Sequence, residues 1–175
     1  MIFETERLIL RDFILDDWKA VHVYASDADL VQHMEWGPNR EIATKDYIER
    51  MLMSQKQYPR EQYELAITLK ENGTLIGGCG LHIEKHSQAA LGYCLNRKFW
   101  GKGYTSEAAH AMCRFGFFDI KLHRIFATCR PENIASSRVM EKIGMTKEGT
   151  LREHIFFKER WHNSLVYSIL ATEFV

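Results

Sequence analysis

The chain has 175 residues, of which 46% are hydrophobic and 26% are charged, proportions typical of one folded domain and not of a disordered or fibrous protein. Its 23 basic and 23 acidic residues leave no formal net charge, which argues against a protein that coats nucleic acid or a membrane surface. There is no apolar leader after Met1 and no apolar run long enough to span a bilayer, so we expect a single domain over residues 1–175 in the cytoplasm.

The N-terminal half predicts a strand, three helical segments and a β-hairpin. Asp16 offers an N-cap for the first helix, Trp36-Gly37-Pro38 ends the second, and Asn72-Gly73 between two β-type runs is a strong hairpin signal. In chain order the predicted elements are a strand over Arg7–Phe13, a helix through Trp18 to Tyr24, a helical segment over Asp27–Met34, a helix over about Glu41–Gln57, and strands over Tyr63–Leu69 and Thr74–Leu81.

A pair of glycines connects the next strand to a helix. The strand covers Ala89–Leu95, the glycines are Gly101 and Gly103, and the amphipathic helix extends from about Tyr104 to Asp119. The first N–H groups of a helix have no internal partner and carry partial positive charge, so this start predicts a phosphate site. Without a third glycine the loop fits the dinucleotide fingerprint poorly, and it is not a P-loop, whereas a plain strand-to-helix turn stays open.

The C-terminal part adds three strands and a short helix. The predicted elements are a strand over Arg124–Arg130, a helix over Asn133–Ile143 that Gly144 ends, and strands over about Thr146–His154 and Leu165–Phe174. This order of elements predicts an α/β (α+β) domain whose sheet has mixed strand directions.

The four cysteines favour a reducing compartment. They are scattered, form no CxxC pair, and fall in three strand-like runs (Cys79, Cys94 and Cys129) and one helical run (Cys113). We expect buried free thiols and no disulfides.

Several motifs together resemble the GCN5-related N-acetyltransferase (GNAT) superfamily, in the branch of the ribosomal-protein N-terminal acetyltransferases RimJ and RimL. Each motif is weak alone, but their order and spacing over nearly the whole chain are specific. They are Thr5-Glu6-Arg7-Leu8-x-Leu10-Arg11, Leu75-Ile76-Gly77-Gly78, Gly92-Tyr93-x-Leu95, Trp100-Gly101-Lys102-Gly103-Tyr104-x-Ser106-Glu107-Ala108, Asn133-x-x-Ser136-x-Arg138-Val139-x-Glu141-Lys142-Ile143-Gly144-Met145, Glu148-Gly149-x-Leu151-Arg152 and Tyr167-Ser168-Ile169-Leu170. The resemblance implies a single-domain GNAT-like fold, with a mostly antiparallel central sheet of about seven strands flanked by helices.

The resemblance also implies acetyl-CoA as the cofactor. It assigns the backbone of Tyr93, Cys94 and Leu95 to the pantetheine arm, the loop residues Lys98, Gly101, Lys102, Gly103, Tyr104 and Thr105 to the pyrophosphate, and Asn133 to the pantetheine or nucleotide side. Lys98 stands where the family has Arg or Gln. Compared with Arg, lysine keeps the positive charge but lacks the planar guanidinium group. Asn133 is equally typical of an N-cap residue, and Glu107 is expected to stabilise the start of its helix.

The catalytic candidates are Ser136, His82 and Glu84. Ser136 matches the family residue near the thiol, whose hydroxyl protonates the departing thiolate, and it also suits a helix cap. Two alanines stand where carboxylates often precede the Gly-Tyr motif, so His82 and Glu84 on the facing strand are the remaining candidates for a general base, beside purely structural roles. His82 and His86 flank a strand end and lack the helical spacing of metal ligands, so no metal is expected.

The acceptor side departs from the family pattern. Lys158–Asn163 replaces a frequent Asp-Gly turn, in a segment that shapes the acceptor pocket in relatives. Trp36 and Phe156 are candidates for the same pocket, although we predict that they pack in the core. Cys94 is expected to be a core residue and not an acetyl carrier.

We therefore expect an acetyl-CoA-dependent N-acetyltransferase that moves the acetyl group directly to a primary amine. The favoured acceptor is a protein N-terminal α-amine, because its pKa of about 8 leaves roughly a tenth of it neutral at pH 7, whereas lysine near 10.4 is almost fully protonated. The alternatives are a small-molecule amine (an antibiotic, polyamine or amino-acid analogue) and a non-catalytic acyl-CoA-binding sensor. We expect a monomer or homodimer without direct binding to nucleic acid or membrane.

Overall fold

One sheet of eight strands runs through the fold in a computed structural model that describes residues 1–174. The strands are β1 (Ile2–Glu4), β2 (Leu8–Asp12), β3 (Gln62–Leu69), β4 (Leu75–Glu84), β5 (Gln88–Leu95), β6 (Arg124–Cys129), β7 (Thr146–Phe157) and β8 (Arg160–Leu170). They lie in the order β1-β2-β3-β4-β5-β6-β8-β7, and neighbours are antiparallel except β5 and β6. The mixed, mostly antiparallel sheet is confirmed, with one strand more than expected because the three residues of β1 extend its edge.

Four α-helices in residues 1–174 cover the two faces of this sheet. They are α1 (Trp18–Ala25), α2 (Glu41–Ser54), α3 (Tyr104–Phe118) and α4 (Ile134–Lys142). Successive side chains of β3 alternate between the faces, because Leu65 and Ile67 belong to the core under α3 and α4 whereas Ala66 belongs to a smaller core under α1 and α2. Each face of the sheet therefore has its own hydrophobic core.

The β3–β4 hairpin is confirmed at Asn72-Gly73. Gly73 has a φ of +72°, and its N–H donates to the carbonyl of Leu69 at 2.8 Å. Asn72 also accepts from the N–H of Thr74 at 2.9 Å. Gly73 thus supplies the positive φ and Asn72 a side-chain acceptor, in a five-residue loop over 70–74 and not in a two-residue turn.

Near the start of the chain, two helical predictions are wrong in detail. A 3₁₀ turn over Leu15–Asp17 precedes α1, and the carboxylate that caps this region belongs to Asp17, which accepts from the N–H of Ile14 at 2.8 Å. The segment predicted as helical over residues 27–34 contains only a 3₁₀ turn over Leu30–His33. There the Asp27 carboxylate accepts from the two backbone N–H groups of residues 29 and 30, a local turn that competes with helix formation.

The last strand is shifted toward the N-terminus relative to its prediction. β8 begins at Arg160 and ends at Leu170, and Phe174 instead packs its ring against His110 and Phe117 of α3. β7 and β8 meet at Lys158 and Glu159, both with positive φ, as in the two-residue turns that suit twisted hairpins. This hairpin projects past the sheet beside the turn over Leu30–His33, where the Lys158 ammonium donates to the Val31 carbonyl at 2.6 Å.

All four cysteines are free thiols, as predicted. Cys79, Cys113 and Cys129 are buried and Cys94 is half-buried. Within residues 1–174, each helix is too short or too polar to cross a lipid bilayer.

The feature of the fold that positions the site is a gap in the middle of the sheet. The parallel pairing of β5 with β6 covers three residues and stops at Ala90 opposite Phe126, although β5 continues to Leu95 and β6 to Cys129. Beyond that point the two strands separate, and their facing backbone groups have no strand partner.

Candidate active site

A cavity of about 690 Å³ opens where β5 and β6 separate. Its floor includes Tyr93 and Cys94 of β5, its walls include residues of α1 and α2, and its rim includes Trp36 before α2 and Ser136 of α4. The cavity therefore joins the gap in the sheet to the face covered by α1 and α2. Such a concave, partly apolar space is the expected place for a small molecule and an acceptor to meet.

The glycine loop lies at the end of β5 and opens α3. Gly101 and Gly103 have φ values of +77° and +82°, which favour glycine, and Gly103 is the N-cap residue of α3. No side chain caps this helix, and the backbone N–H groups from Gly101 to Thr105 have no hydrogen-bond partner within the described part of the chain. A Cβ on Gly101 would meet open space. This geometry fits a phosphate group, as the sequence predicts.

The Thr5-Glu6-Arg7 motif braces this loop from the far end of the sheet. Glu107, in the first turn of α3, accepts from the Thr5 hydroxyl at 2.6 Å and from the Arg7 N–H and Nε at 2.9 and 2.7 Å. Arg7 also donates to the Lys102 carbonyl at 2.9 Å. Partial burial pushes the pKa of Glu107 up, but the hydrogen bonds from Thr5 and Arg7 hold it below its ordinary value. Glu107 thus has the structural role predicted for it, and it fixes where the loop sits.

Ser136 and Asn133 lie together at the start of α4. The Asn133 side chain accepts from the Ser136 N–H at 3.2 Å, so it caps the helix while it also lines the cavity. The Tyr93 hydroxyl lies 3.0 Å from both the hydroxyl and the carbonyl oxygen of Ser136. Burial raises the pKa of Tyr93, although its hydrogen bond with Ser136 opposes this, so its hydroxyl stays protonated. The pair places two hydroxyl groups at the cavity wall beside the gap.

His82 also lines the cavity, and a residue that the sequence did not single out accompanies it. His82 Nε2 lies 2.7 Å from a carboxylate oxygen of Glu64, whose side chain is 15% exposed and also lines the cavity. The hydrogen bond to Glu64 raises the pKa of His82, against the effect of burial. A Cβ on Gly80 would lie 2.5–2.8 Å from the Glu64 carboxyl group, so Gly80 leaves the room that this carboxyl group occupies. The sequence carries no local signal for Glu64, because Gly80 and His82 face it from a different strand.

Among the other predicted residues, Glu84, Leu95 and Lys98 do not line the cavity, whereas Cys94 does. Glu84 is exposed at the end of β4, where it faces Gln88, and does not line the cavity. Leu95 is buried beneath the gap and Lys98 is exposed before the glycine loop. Burial raises the pKa of Cys94 to about 12, so its thiol is protonated and is a poor acetyl carrier. Within residues 1–174, no three His, Cys, Asp or Glu side chains cluster as metal ligands would.

Two aromatic residues are not in the core, contrary to the prediction. Trp36 is 41% exposed at the cavity rim and Phe156 is 58% exposed on β7. Phe156 packs edge-on against Trp161 across the β7–β8 hairpin, with ring centroids 5.3 Å apart. An aromatic residue type favours burial on average, but it does not distinguish a core position from a cavity rim or an exposed hairpin.

Comparison with known proteins agrees with this geometry. A sequence model of the acetyltransferase (GNAT) domain family matches residues 7–146. The uncharacterized N-acetyltransferase YnaD of Bacillus subtilis is 35% identical over 175 residues, which cover 99% of each chain. The crystal structure of a GNAT-family acetyltransferase from Bacillus anthracis is 36% identical, with a TM-score of 0.89 and coverage of 99% of this chain and 100% of that one. A structure of RimL, the ribosomal L7/L12 alpha-N-protein acetyltransferase, with coenzyme A shares the fold at 21% identity, with a TM-score of 0.86 and coverage of 97% and 98%.

Proposed function

The chain belongs to the GNAT family of acetyl-CoA-dependent N-acetyltransferases, and we propose that its acceptor is an α-amine, with a protein or peptide N-terminus favoured. The observation that carries this proposal is the Glu64–His82 pair in the cavity that opens between β5 and β6. Imidazole is a mild base whose ordinary pKa lies near 6.5. It is matched to an amine that titrates near 8, and much less to a lysine side chain near 10.4.

Acetyl-CoA supplies an activated acetyl group as a thioester. The N–H groups from Gly101 to Thr105 would hold its pyrophosphate. The backbone edge of β5 that faces the gap would hold its amide-containing arm at Tyr93, whereas the Leu95 carbonyl already accepts from Trp100 Nε1 at 2.7 Å. An arm held by these groups would extend along the gap, and Ser136 lines the cavity beside that gap. These contacts come from backbone groups, so the lysine at position 98, in place of the family's Arg or Gln, does not disturb them.

His82 prepares the acceptor. An α-ammonium group bound in the cavity transfers one proton to the neutral imidazole, and the amine lone pair is then free to attack the acetyl carbonyl. Glu64 accepts a hydrogen bond from His82 Nε2, which leaves Nδ1 to receive that proton and stabilises the resulting imidazolium. The His82 side chain is 48% exposed, so the proton can then pass to water.

Ser136 completes the transfer by protonating the leaving sulfur. The Tyr93 hydroxyl donates its one hydrogen to the Ser136 carbonyl, which leaves the Ser136 hydroxyl hydrogen free to turn into the cavity. The Ser136 hydroxyl then gives its hydrogen to the thiolate and takes one back from water in the open cavity. Tyr93 keeps its own proton and holds Ser136 in position.

The experiment that tests the acceptor class is a panel of amines with a free-thiol readout. We expect N-terminal peptides to be acetylated with a higher kcat/KM than polyamines, aminoglycosides or peptides whose only free amine is a lysine side chain. A small-molecule amine that exceeds every peptide would replace the proposal. Tight acetyl-CoA binding without loss of acetyl to any amine would instead indicate a sensor.

The assigned groups are tested on the best acceptor from that panel. We expect His82→Gln to lower kcat/KM by about 10²-fold or more, in line with the usual contribution of general-base catalysis. Ser136→Ala and Tyr93→Phe should each slow acetyl transfer in single-turnover experiments, without a large change in acetyl-CoA affinity. Transfer rates unchanged in both variants would remove the proposed proton donor.

A further inference from the structure

A buried arginine with no partner also lines the active-site cavity. Arg130 directly follows β6, and the residue is 4% exposed. Its Nη1 is fully buried and makes no hydrogen bond, and within residues 1–174 no carboxylate lies within 4.0 Å of the guanidinium. The Nε and Nη2 groups donate to no described residue either, but unlike Nη1 they are not fully buried, so they are the donors open to the cavity that Arg130 lines. Of its surroundings, only the ring of Phe157 offers a compensating contact, with 6.0 Å between the guanidinium carbon and the ring centroid.

An unpaired buried cation is costly for the folded protein. Transfer of a charge out of water is unfavourable unless a counter-charge and hydrogen bonds replace its hydration. Burial lowers the pKa of Arg130, but an arginine stays protonated in proteins, so the positive charge is present in the cavity wall. A cation–π contact at the limit of its range compensates for little of this cost.

Arg130 lies on the acceptor side of the cavity. Phe157 belongs to the β7–β8 hairpin, and the carboxylates whose charge acts on Arg130 are those of Glu35, which lies before α2 and also lines the cavity, and of Glu132. Both acidic residues are exposed and too far away to form an ion pair. The glycine loop, by contrast, has its own set of unpaired N–H groups for phosphate. The free guanidinium therefore calls for an anion that is not the pyrophosphate.

We propose that Arg130 binds a carboxylate that the acceptor carries close to its α-amine. This assignment rests on the proposed function, because the amine itself is placed at His82 and Glu64 in the same cavity. A guanidinium matches a carboxylate through two parallel hydrogen bonds, which adds both affinity and orientation. The acceptor is then bipolar: its ammonium faces His82 and Glu64, and its carboxylate faces Arg130.

Two sources present this chemistry, and matched acceptors separate them. A peptide with N-terminal Asp or Glu offers a side-chain carboxylate, and the control is the same peptide with Asn or Gln. A free amino acid offers its α-carboxylate, and the control is its amide. We expect a 10–100-fold higher kcat/KM for the carboxylate member of one of these pairs, the range typical of a hydrogen-bonded charge in a site built to receive it.

The variants are Arg130→Met, Arg130→Lys and Arg114→Met, each assayed with both members of the preferred pair. Arg114 is exposed on α3, outside the cavity, and serves as the matched control. Arg130→Met should abolish the discrimination, Arg130→Lys should keep part of it, and Arg114→Met should leave it intact. Arg130→Met should also keep or raise the Tm without ligands, because it removes an unpaired buried charge, and this excludes misfolding as the cause of the loss.

The possible results divide clearly. If the enzyme acetylates α-amines but does not distinguish the members of either pair, the Arg130 proposal fails while the proposed function stands. The Arg130 proposal also fails if Arg130→Met weakens acetyl-CoA binding by more than tenfold and leaves acceptor discrimination unchanged. If no α-amine is acetylated at all, the proposed function fails first.

Discussion

Gly103 offers a sharp test of where the phosphate group binds. Its φ of +82° and its position as N-cap of α3 place any side chain there beside the proposed phosphate site. A Cβ would lie 3.4 Å from Arg7 Nη2, an ordinary contact. Gly103→Gln and Gly103→Glu therefore carry the same left-handed strain, about 1–2 kcal/mol, and nearly the same volume. They differ only in one negative charge.

That charge has opposite effects on stability and on affinity. At the N-terminus of α3 a carboxylate gains about 0.3–1 kcal/mol from the helix dipole, so Gly103→Glu should unfold at a slightly higher temperature than Gly103→Gln. A carboxylate about 4 Å from a phosphate charge, at an effective dielectric constant of about 20, is repelled by about 4 kcal/mol. With salt screening we expect about 10²-fold weaker binding of acetyl-CoA by Gly103→Glu than by Gly103→Gln, and a smaller ratio at high ionic strength.

The assay is calorimetric titration of both variants with acetyl-CoA, together with thermal unfolding in the absence of ligand. Equal dissociation constants for the two variants at low salt would refute the reasoning, because the added charge would then lie far from every phosphate. A lower Tm for the glutamate variant would contradict the assignment of Gly103 to the helix start.

Three further predictions follow from the same structure. Glu64→Gln replaces a charged hydrogen-bond acceptor of His82 by a neutral one, which lowers the pKa of His82, so the His82 titration seen by NMR and the acid limb of kcat/KM should move to lower pH; an unchanged titration would show that Glu64 does not set the pKa of His82. Gly80→Ala should push the Glu64 carboxyl group away from His82 and lower kcat about tenfold, with a loss of less than about 1 kcal/mol in the free energy of unfolding, since only the end of a flexible side chain must move. Glu107→Gln should lower the Tm by about 2–4 °C at pH 7 and weaken acetyl-CoA binding. Because the pKa of Glu107 is depressed in the folded protein, this difference in Tm should disappear as the pH falls through that lowered pKa, and a difference that persists in acid would contradict the assignment.

The backbone part of the site could be predicted from the sequence, because glycine, turn and cap residues act locally. Gly101, Gly103 and Asn133 occupy the conformations that their residue types favour, and the order of strands and helices around them is confirmed. Their chemistry depends on N–H groups that every residue carries. Short-range sequence signals are therefore enough to place them.

The side-chain part of the site could not be predicted in the same way. Glu64 alternates with apolar residues on β3, a pattern typical of a strand face in water, and only the packing of α1 and α2 turns that face into a cavity wall. Arg130 at a strand end has the pattern of an ordinary surface arginine until the β7–β8 hairpin encloses it. Residues distant in the chain create both environments, so no local pattern indicates them.

The gap between β5 and β6 also has a consequence for self-association. Exposed strand edges usually invite another chain, and proteins shield them to avoid aggregation. Here two unpaired edges lie inside the sheet and face each other. At the closed end of the gap, β5 and β6 pair over only three residues each. A full polypeptide strand would have to force them apart, whereas a narrower molecule with amide groups can enter between them. The unpaired backbone groups in the gap are therefore open to a narrow ligand but closed to a strand from another protein chain.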